Sequence, residues 1–432
     1  MKEANAENLR RCVTYLTDNI GIRLAGSQEE MQAAGYLAGE FAKYTPLVAI
    51  EKFPVGQRLV KREFYQVQIN GRWQQFSGSL FNSSPGSAGK DIEAQVVYFN
   101  AHTGYMAPDL SHLTGKAVVH LGCHIECEDH YRRLMEAKPA FILFADSRYP
   151  ATIPLADGLF PAYVKKYGAV PSINVAYLDA WSWKSNGAAK IRINVDSDTV
   201  PSYTTVVTAE FPGTDKDAGI IFAGGHHDTQ AGTPGADDNA DGCAAMVELA
   251  RIFAGSRFRH TIRLICFGAE EQLSLGSAEY IRLHRNEVEK KGIFMCNFDS
   301  FGSQLGWADF TINGNEKLAS LIRQKFNSRG VYFLERRHPD PYNDQFPFAA
   351  CKVPGMWIYR PNCEAGLFFH HRFDNLPDKL DFETCALYVN AAADVIKFLA
   401  NEENIEAYRT IPPEEAAQIS ELFDRAYGGF NN

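Results

Sequence analysis

The order of apolar and polar positions divides the chain into three textures. The first 44 residues have helical spacing. Ser27-Gln28-Glu29-Glu30 forms a capping box, and Met31, Ala34, Leu37 and Phe41 recur along one helix face. From about Pro54 to Val200 short alternating strands dominate, at 64–70, 94–100, 116–121, 140–145 and 190–195. Gly, Ser, Pro and Asn clusters break them, and one segment, 128–137, reads as a helix. From Ala218 onward continuously apolar strands at 219–223, 261–267, 293–298 and 355–359 alternate with helices at 242–253, 276–288, 316–328 and 382–400. Pro412-Pro413-Glu414-Glu415 opens a last helix. Apolar strands separated by helices predict an α/β fold, a mostly parallel sheet sandwiched by helices, with an inserted β-rich domain. The expected division is one domain of 1–53 and 201–432 and an insert of 54–200.

Composition narrows the function classes. The 432 residues carry 43 Lys+Arg against 52 Asp+Glu, a formal charge of −9, which argues against a nucleic-acid partner. With 45% hydrophobic and 22% charged residues the chain reads as an ordinary globular protein. No apolar run approaches the roughly 18–20 residues that cross a bilayer, so no membrane partner is expected. The start, Met1-Lys2-Glu3-Ala4-Asn5, lacks the apolar stretch of a signal peptide. Nine scattered cysteines do not form a disulfide framework, and a cytoplasmic location is the simplest expectation.

Open α/β sheets gather functional groups at the carboxyl ends of their strands. Here the first strand leads to Gly224-Gly225-His226-His227-Asp228 and Gly235-Ala236-Asp237-Asp238-Asn239, and the second to Gly268-Ala269-Glu270-Glu271. The third ends in Asp299-Ser300, and the fourth leads to Phe369-His370-His371-Arg372-Phe373-Asp374. So many charged groups in one crevice repel one another unless something positive sits among them. Carboxylates and imidazoles without thiolates suit a divalent cation such as zinc. Three carboxylates and two imidazoles exceed the needs of one catalytic zinc and suit two ions that share a carboxylate. A spare glutamate beside a ligand glutamate is then a natural general base. A second cluster, Cys123-His124-Ile125-Glu126-Cys127 with His130, has no partner knuckle and reads as a turn entering a helix.

These residues carry a resemblance. Gly225-His226-His227-Asp228, Gly235-Ala236-Asp237-Asp238-Asn239, Gly268-Ala269-Glu270-Glu271, Asp299, Asn343-Asp344 and His370 together resemble metallopeptidase family twenty-eight, the di-zinc aminopeptidases and glutamate-carboxypeptidase-like enzymes. Arg23-Leu24-Ala25-Gly26-Ser27 resembles that family's Arg-Leu-x-Gly-Ser segment, and the insert resembles a protease-associated domain.

The resemblance implies a zinc exopeptidase-like fold with two Zn2+ per chain. His226 and Asp299 would hold one ion, Glu271 and His370 the other, with Asp238 shared between them. Glu270 would be the general base and Asp228 would orient His226. The family's order of residues, not the sequence alone, separates Glu270 from Glu271. The His-x-Asp spacing selects His226 over His227, and the four-residue step to Asp374 selects His370 over His371. Many members carry Tyr-His-Thr where this chain has Phe369-His370-His371, and Tyr342 is a candidate substitute for the missing hydroxyl. Asp344 and Arg360 are further candidates for substrate contact.

The activity implied is removal of N-terminal residues from peptides, through a bridging water activated by the metals and deprotonated by Glu270. The alternatives are a carboxypeptidase or dipeptidase, for which Arg336, Arg337, Arg360 and Arg372 could receive the substrate carboxylate, and a non-catalytic peptide-binding protein. A single-zinc enzyme cyclising N-terminal glutamine is a third, against which the intact Asp238 and paired glutamates speak. The insert is expected to limit substrate size, with Tyr105, Tyr149, Phe160 and Tyr163 as candidate lining.

Overall fold

The computed structural model describes residues 2–149, 151–215, 217–363 and 366–430. The chain divides into two compact units, Met1–Val55 with Ser202–Asn432, and Gly56–Pro201. The sequence had put the boundaries at 53/54 and 200/201. Among the described residues no helix is long and apolar enough to cross a membrane.

The larger unit is built on four parallel strands, in the order Gly355–Ile358, Gly292–Phe298, Ile220–His226 and Thr261–Phe267. Residues 207–211 of the strand Lys190–Phe211 add to Thr261–Phe267 in antiparallel sense. On the other side Asp309–Asn313 pairs antiparallel with Gly355–Ile358, and the short edge strand Leu334–Arg336 follows in parallel. This is the mixed α/β sheet the apolar runs predict. Alternate residues of each central strand point to opposite faces, and each face has its own core. Ile221, Ala223, Ile262, Leu264 and Cys266 pack with the helices Ala6–Thr14, Gln28–Phe41, Asp241–Phe253, Glu316–Ser328 and Phe382–Asn401. Ile220, Phe222, Ile265 and Phe267 pack with Tyr280, Ile281 and Val288 of the helix Leu275–Lys291 and with Phe348 of the short helix Gln345–Ala350. Strands buried on both faces have no polar side, which explains their unbroken apolar runs.

The helix Gln28–Phe41 starts as the capping box implies, with Ser27 Oγ accepting the N–H of Glu30 at 3.1 Å. The Glu30 carboxylate departs from it. One oxygen takes the N–H of Gly26 (2.6 Å), and the other takes Thr204 Oγ1 (2.6 Å) and the Thr205 N–H (3.0 Å).

The smaller unit is richer in strand than in helix, but it holds more than the one helix expected. Its strands Ile92–Asn100, Ala117–Leu121, Phe141–Ala145 and Ser172–Val175 run parallel, with Gly78–Leu80 antiparallel at one edge and residues 190–193 antiparallel at the other. Among the described residues the single turn Ala101–Gly104 and the helices Glu128–Glu136, Pro161–Tyr167 and Tyr177–Ser185 accompany them. The last two bury only Tyr163, and only Ala180 and Trp183, so neither shows a helical repeat of apolar residues. Asn70 and Gly71, both at positive φ, turn the hairpin that pairs residues 66–69 with 72–75. Tyr105, Tyr149, Phe160 and Tyr163 are all buried within this unit. Core packing, not a substrate passage, is where their surfaces are spent.

Candidate active site

All four parallel strands deliver charged groups at their carboxyl ends. His226 ends the strand Ile220–His226, Asp299 directly follows Gly292–Phe298, and Glu270 and Glu271 occupy a single turn after Thr261–Phe267. Asp238 comes from the loop between Ile220–His226 and Asp241–Phe253. Gly235 opens that loop in the left-handed region (φ +60°), where an added Cβ would fall 2.2 Å from the Asp238 carbonyl oxygen. His370 and His371 come from the long connection after Gly355–Ile358.

Asp238 stands at the centre. Its Oδ1 is 3.1 Å from His226 Nε2, and its Oδ2 is 3.2 Å from His371 Nε2. His226 Nε2 also lies 3.5 Å from Asp299 Oδ1 and 3.8 Å from Glu270 Oε2. His371 Nε2 is 3.1 Å from Glu271 Oε2. His370 Nδ1 approaches Asp238 Oδ2 at 3.6 Å, and its ring stacks on that of His371 at 3.6 Å. The residues predicted as ligands therefore converge, and His371, which the spacing set aside, comes closer than His370. His371 sits at φ +51°, in the left-handed region, a conformation that no spacing rule encodes.

Around these atoms the backbone is held by buried hydrogen bonds. His226 Nδ1 lies 3.2 Å from the Asp228 carbonyl oxygen and 3.4 Å from Asp228 Oδ1. A proton on Nδ1 leaves the Nε2 lone pair facing the carboxylates. Asp228 Oδ1 and Oδ2 accept the N–H groups of Glu270 (3.0 Å) and Glu271 (3.3 Å). The Gln230 N–H donates to Glu271 Oε1 at 3.1 Å, and Trp357 Nε1 donates to the Asp299 carbonyl at 2.9 Å.

Arg23, fully buried, gives its guanidinium entirely to carbonyl oxygens: His227 (2.7 Å), Gly21 (2.8 Å), Pro234 (2.7 Å), Leu16 (3.2 Å) and Gly235 (3.2 Å). It laces the loop after His226 to the loop before Asp238, a role the sequence did not reveal. Burial lowers its pKa to about 10.

The electrostatics are those of an anionic cluster short of positive charge. Burial, with neighbouring carboxylates, raises Glu270 and Asp299, raises Glu271 to about 7 and raises Asp344 to about 8. Burial alone would lower His226, but Asp299, Asp228 and Asp238 outweigh it and hold its pKa well above the ordinary value. Divalent cations answer that imbalance. Donor atoms about 2.0–2.2 Å from a tetrahedral zinc lie roughly 3.3 Å from one another. The separations around Asp238, 3.1–3.6 Å, match that spacing. Among the described residues, His226 with Asp238 and Asp299, and Asp238 with His370 and His371, are the groups able to hold a metal ion.

The other predicted residues fare differently. Asp344 is completely enclosed, within electrostatic reach of Glu270, His226 and Asp228, and so belongs to the wall of the cluster and not to a surface for substrate. Arg360 donates to the Ser303 carbonyl (2.6 Å) and the Tyr388 hydroxyl (3.0 Å), which commits it to holding its own loop. Tyr342 is half-buried with its N–H on Asp340 Oδ1 (3.1 Å). In the smaller unit His124 pairs with Asp157 (3.1 Å) and His130 stacks on Tyr105, so the Cys123–Cys127 segment is the turn into a helix that its sequence suggests.

Known proteins resemble this chain in sequence and in fold. Residues 206–396, which include every ligand candidate, match Peptidase family M28. The aminopeptidase YwaD of Bacillus subtilis (strain 168) is 24% identical over 365 residues, covering 84% of this chain and 74% of that protein. A peptidase M28 precursor from Shewanella amazonensis SB2B shares the fold with a TM-score of 0.78 at 19% identity, over 94% of this chain and 98% of that one. BSAP, a zinc aminopeptidase from Bacillus subtilis, does so with a TM-score of 0.76 at 16% identity, over 93% and 97%. The four-strand constellation lies within residues 206–396, the segment that matches Peptidase family M28.

Proposed function

We propose that the protein is a zinc-dependent exopeptidase, an aminopeptidase that removes N-terminal residues from peptides. The observation that carries this reading is the Asp238 carboxylate, with one oxygen 3.1 Å from His226 Nε2 and the other 3.2 Å from His371 Nε2. A carboxylate flanked on both oxygens by imidazoles can be shared between two cations. His226 and Asp299 would hold one zinc, Glu271 and His371 the other, with His370 beside it and Asp238 common to both. Two zinc ions would supply Lewis-acid polarisation of the scissile carbonyl and lower the pKa of water enough for attack near neutral pH.

The chain's own residues do the rest. Glu270, close to His226 and not required as a ligand, takes the proton from the attacking water and returns it to the leaving amine. Asp228 keeps His226 in one tautomer and at the same time sets the backbone of both glutamates. The names of the relatives, aminopeptidases among them, support the zinc and the direction of attack.

A carboxypeptidase reading requires a free cation for the substrate carboxylate. Arg336 pairs with Asp309 at 2.7 and 2.6 Å, Arg337 donates to Glu335 and the Gly314 carbonyl, and Arg372 donates to the Phe368 carbonyl at 2.6 Å. With Arg360 also engaged, the four arginines in the relevant loops serve the fold, which favours the aminopeptidase. The test compares a free aminoacyl anilide with an N-blocked dipeptide, with zinc measured on the same sample. Turnover of the anilide and about two equivalents of zinc are expected. Cleavage of the blocked dipeptide alone, or a Glu270→Ala variant that keeps zinc and full turnover, would overturn the reading.

A further inference from the structure

Glu270 is fixed at three points. Its N–H donates to Asp228 Oδ1 at 3.0 Å, its carbonyl accepts the Ser274 N–H at 2.6 Å, and its Oε1 accepts the Ser274 hydroxyl at 3.0 Å. Ser274 is fully buried and directly precedes the helix Leu275–Lys291. The head of that helix is pressed onto the end of the strand that leads to the glutamates. The Leu275 N–H donates to the Ala269 carbonyl at 2.9 Å, and a Cβ added at Gly276 would collide with the Gly268 carbonyl oxygen. The Ser274 carbonyl in turn accepts the Ala278 N–H (2.9 Å) and the Ser277 hydroxyl (3.1 Å). Ser274 is therefore held on both sides of its own side chain, within reach of Glu270.

The backbone of this turn runs against residue preference. Ala269, Leu273 and Ser274 lie in the left-handed region, at φ +54°, +60° and +44°, which disfavours any L residue relative to glycine. Glycine would take the Ser274 conformation without strain. What serine adds there is a hydroxyl, and that hydroxyl is on Glu270. Residues held in such conformations gather at functional sites.

We propose that Ser274 is a positioning residue for Glu270, and that the oxygen it leaves, Oε2, is the one that takes and returns the proton. The inference rests on the reading of Glu270 as the general base. Oε2 lies 3.8 Å from His226 Nε2, beside the ligand cluster. The last torsion of a glutamate is broad, so a carboxylate with neither oxygen held samples many orientations, and small misplacements of a reacting group are costly. The Ser274 hydroxyl has one proton to donate. Directed to Oε1, it fixes the carboxylate plane, and an oxygen that already accepts a hydrogen bond is the weaker base of the two. The proton then passes from water to Oε2 and from Oε2 to the leaving amine, while Ser274 keeps its own.

Ser274→Gly deletes the hydroxyl and keeps the left-handed backbone without strain. The expected result is a kcat about tenfold lower with KM within twofold, a small part of the roughly 10²–10⁴-fold that a general base contributes. Zinc content stays at wild type. Ser274→Ala deletes the same hydroxyl but retains the strain, and its kcat should fall equally. A merely structural role would spare the glycine variant and harm the alanine one. Either variant keeping more than half the wild-type kcat overturns the proposal, and if one of them fails to fold the other decides it. A second readout does not depend on turnover. In crystals of the metal-free protein the Glu270 carboxylate should take one orientation in the wild type and more than one in Ser274→Gly, and a single unchanged orientation in the variant overturns the proposal. Glu270→Gln separates the two levels. Turnover retained there removes the base itself, whereas an inactive Glu270→Gln beside an unimpaired Ser274→Gly removes only the role of Ser274.

Discussion

The Asp228 carboxylate takes the backbone N–H of Glu270 at 3.0 Å and, with its other oxygen, that of Glu271 at 3.3 Å, while it lies 3.4 Å from His226 Nδ1. One buried side chain thus ties two strand ends together, and both its oxygens are needed as acceptors. Asp228→Asn keeps the volume but turns an N–H donor toward one of those N–H groups. Loss of a partner that orients a ligand typically costs about 10–100-fold in metal affinity. Zinc titration against a competing chelator should show a loss of that size, and wild-type affinity would remove Asp228 from this role.

The paired histidines give a sharper test. His371 Nε2 reaches both Asp238 and Glu271, at 3.2 and 3.1 Å, whereas His370 Nδ1 lies 3.6 Å from Asp238. His371→Ala is expected to lose about one of the two proposed zinc equivalents, since it removes the imidazole that reaches both carboxylates of that site. His370→Ala is expected to retain both. Metal analysis of the purified variants decides it, and the reverse outcome restores the residue that the family spacing selects.

That both histidines, and not only His370, stand at Asp238 shows where linear reading stops. The strand Thr261–Phe267 and the helix Glu316–Ser328 were legible to the residue, because burial on both faces, or on one helical face, leaves a periodic record. The four strand ends were legible for the same reason: once the strands are placed, so are their carboxyl ends. His371 was not, because its reach to Asp238 and Glu271 comes with a left-handed backbone conformation that spacing does not record. Asp309–Asn313 was missed as a strand because its polar residues are buried by pairing with distant partners. Asp309 pairs with Arg336, and Asn313 with Gln345 and Glu415. Glu30 was read as a local cap, yet one of its oxygens serves Thr204 and Thr205. Local periodicity is written in the sequence, and polar complementarity between remote segments is not.

Arg23 is the largest such long-range commitment. Its five carbonyl acceptors are drawn from segments around residues 16–21, 227 and 234–235, and among the described residues no carboxylate forms an ion pair with it. Arg23→Met would strand several buried acceptors, each worth about 1–3 kcal/mol when left unpaired. A net loss of roughly 3–5 kcal/mol is expected because some of those carbonyls keep other partners. Arg23→Lys, a point charge with three donors, should recover only part of it. Denaturant unfolding of the apoprotein measures both, and a loss under about 1 kcal/mol for Arg23→Met would contradict the lacing role.

The smaller unit carries a pH signature of its own. His120 is 2% exposed, with the Tyr105 hydroxyl 3.1 Å from its Nε2, and burial, followed by the nearby His130, lowers its pKa to about 3. In the unfolded chain the same imidazole titrates near 6.5. Above that value neither state binds the proton, and the stability associated with a neutral His120 is fully present. As pH falls from about 6.5 toward 3 the unfolded chain takes up a proton that the folded chain refuses, so stability declines by about 1.4 kcal/mol per pH unit. Between pH 7 and 5 that amounts to about 2 kcal/mol from this residue. Urea unfolding at the two pH values should show the wild-type protein losing about that much more than His120→Gln, whose amide cannot titrate. Equal losses in the two proteins would mean that His120 accepts its proton in the folded state, and that the aromatic packing around it does not exclude the charge.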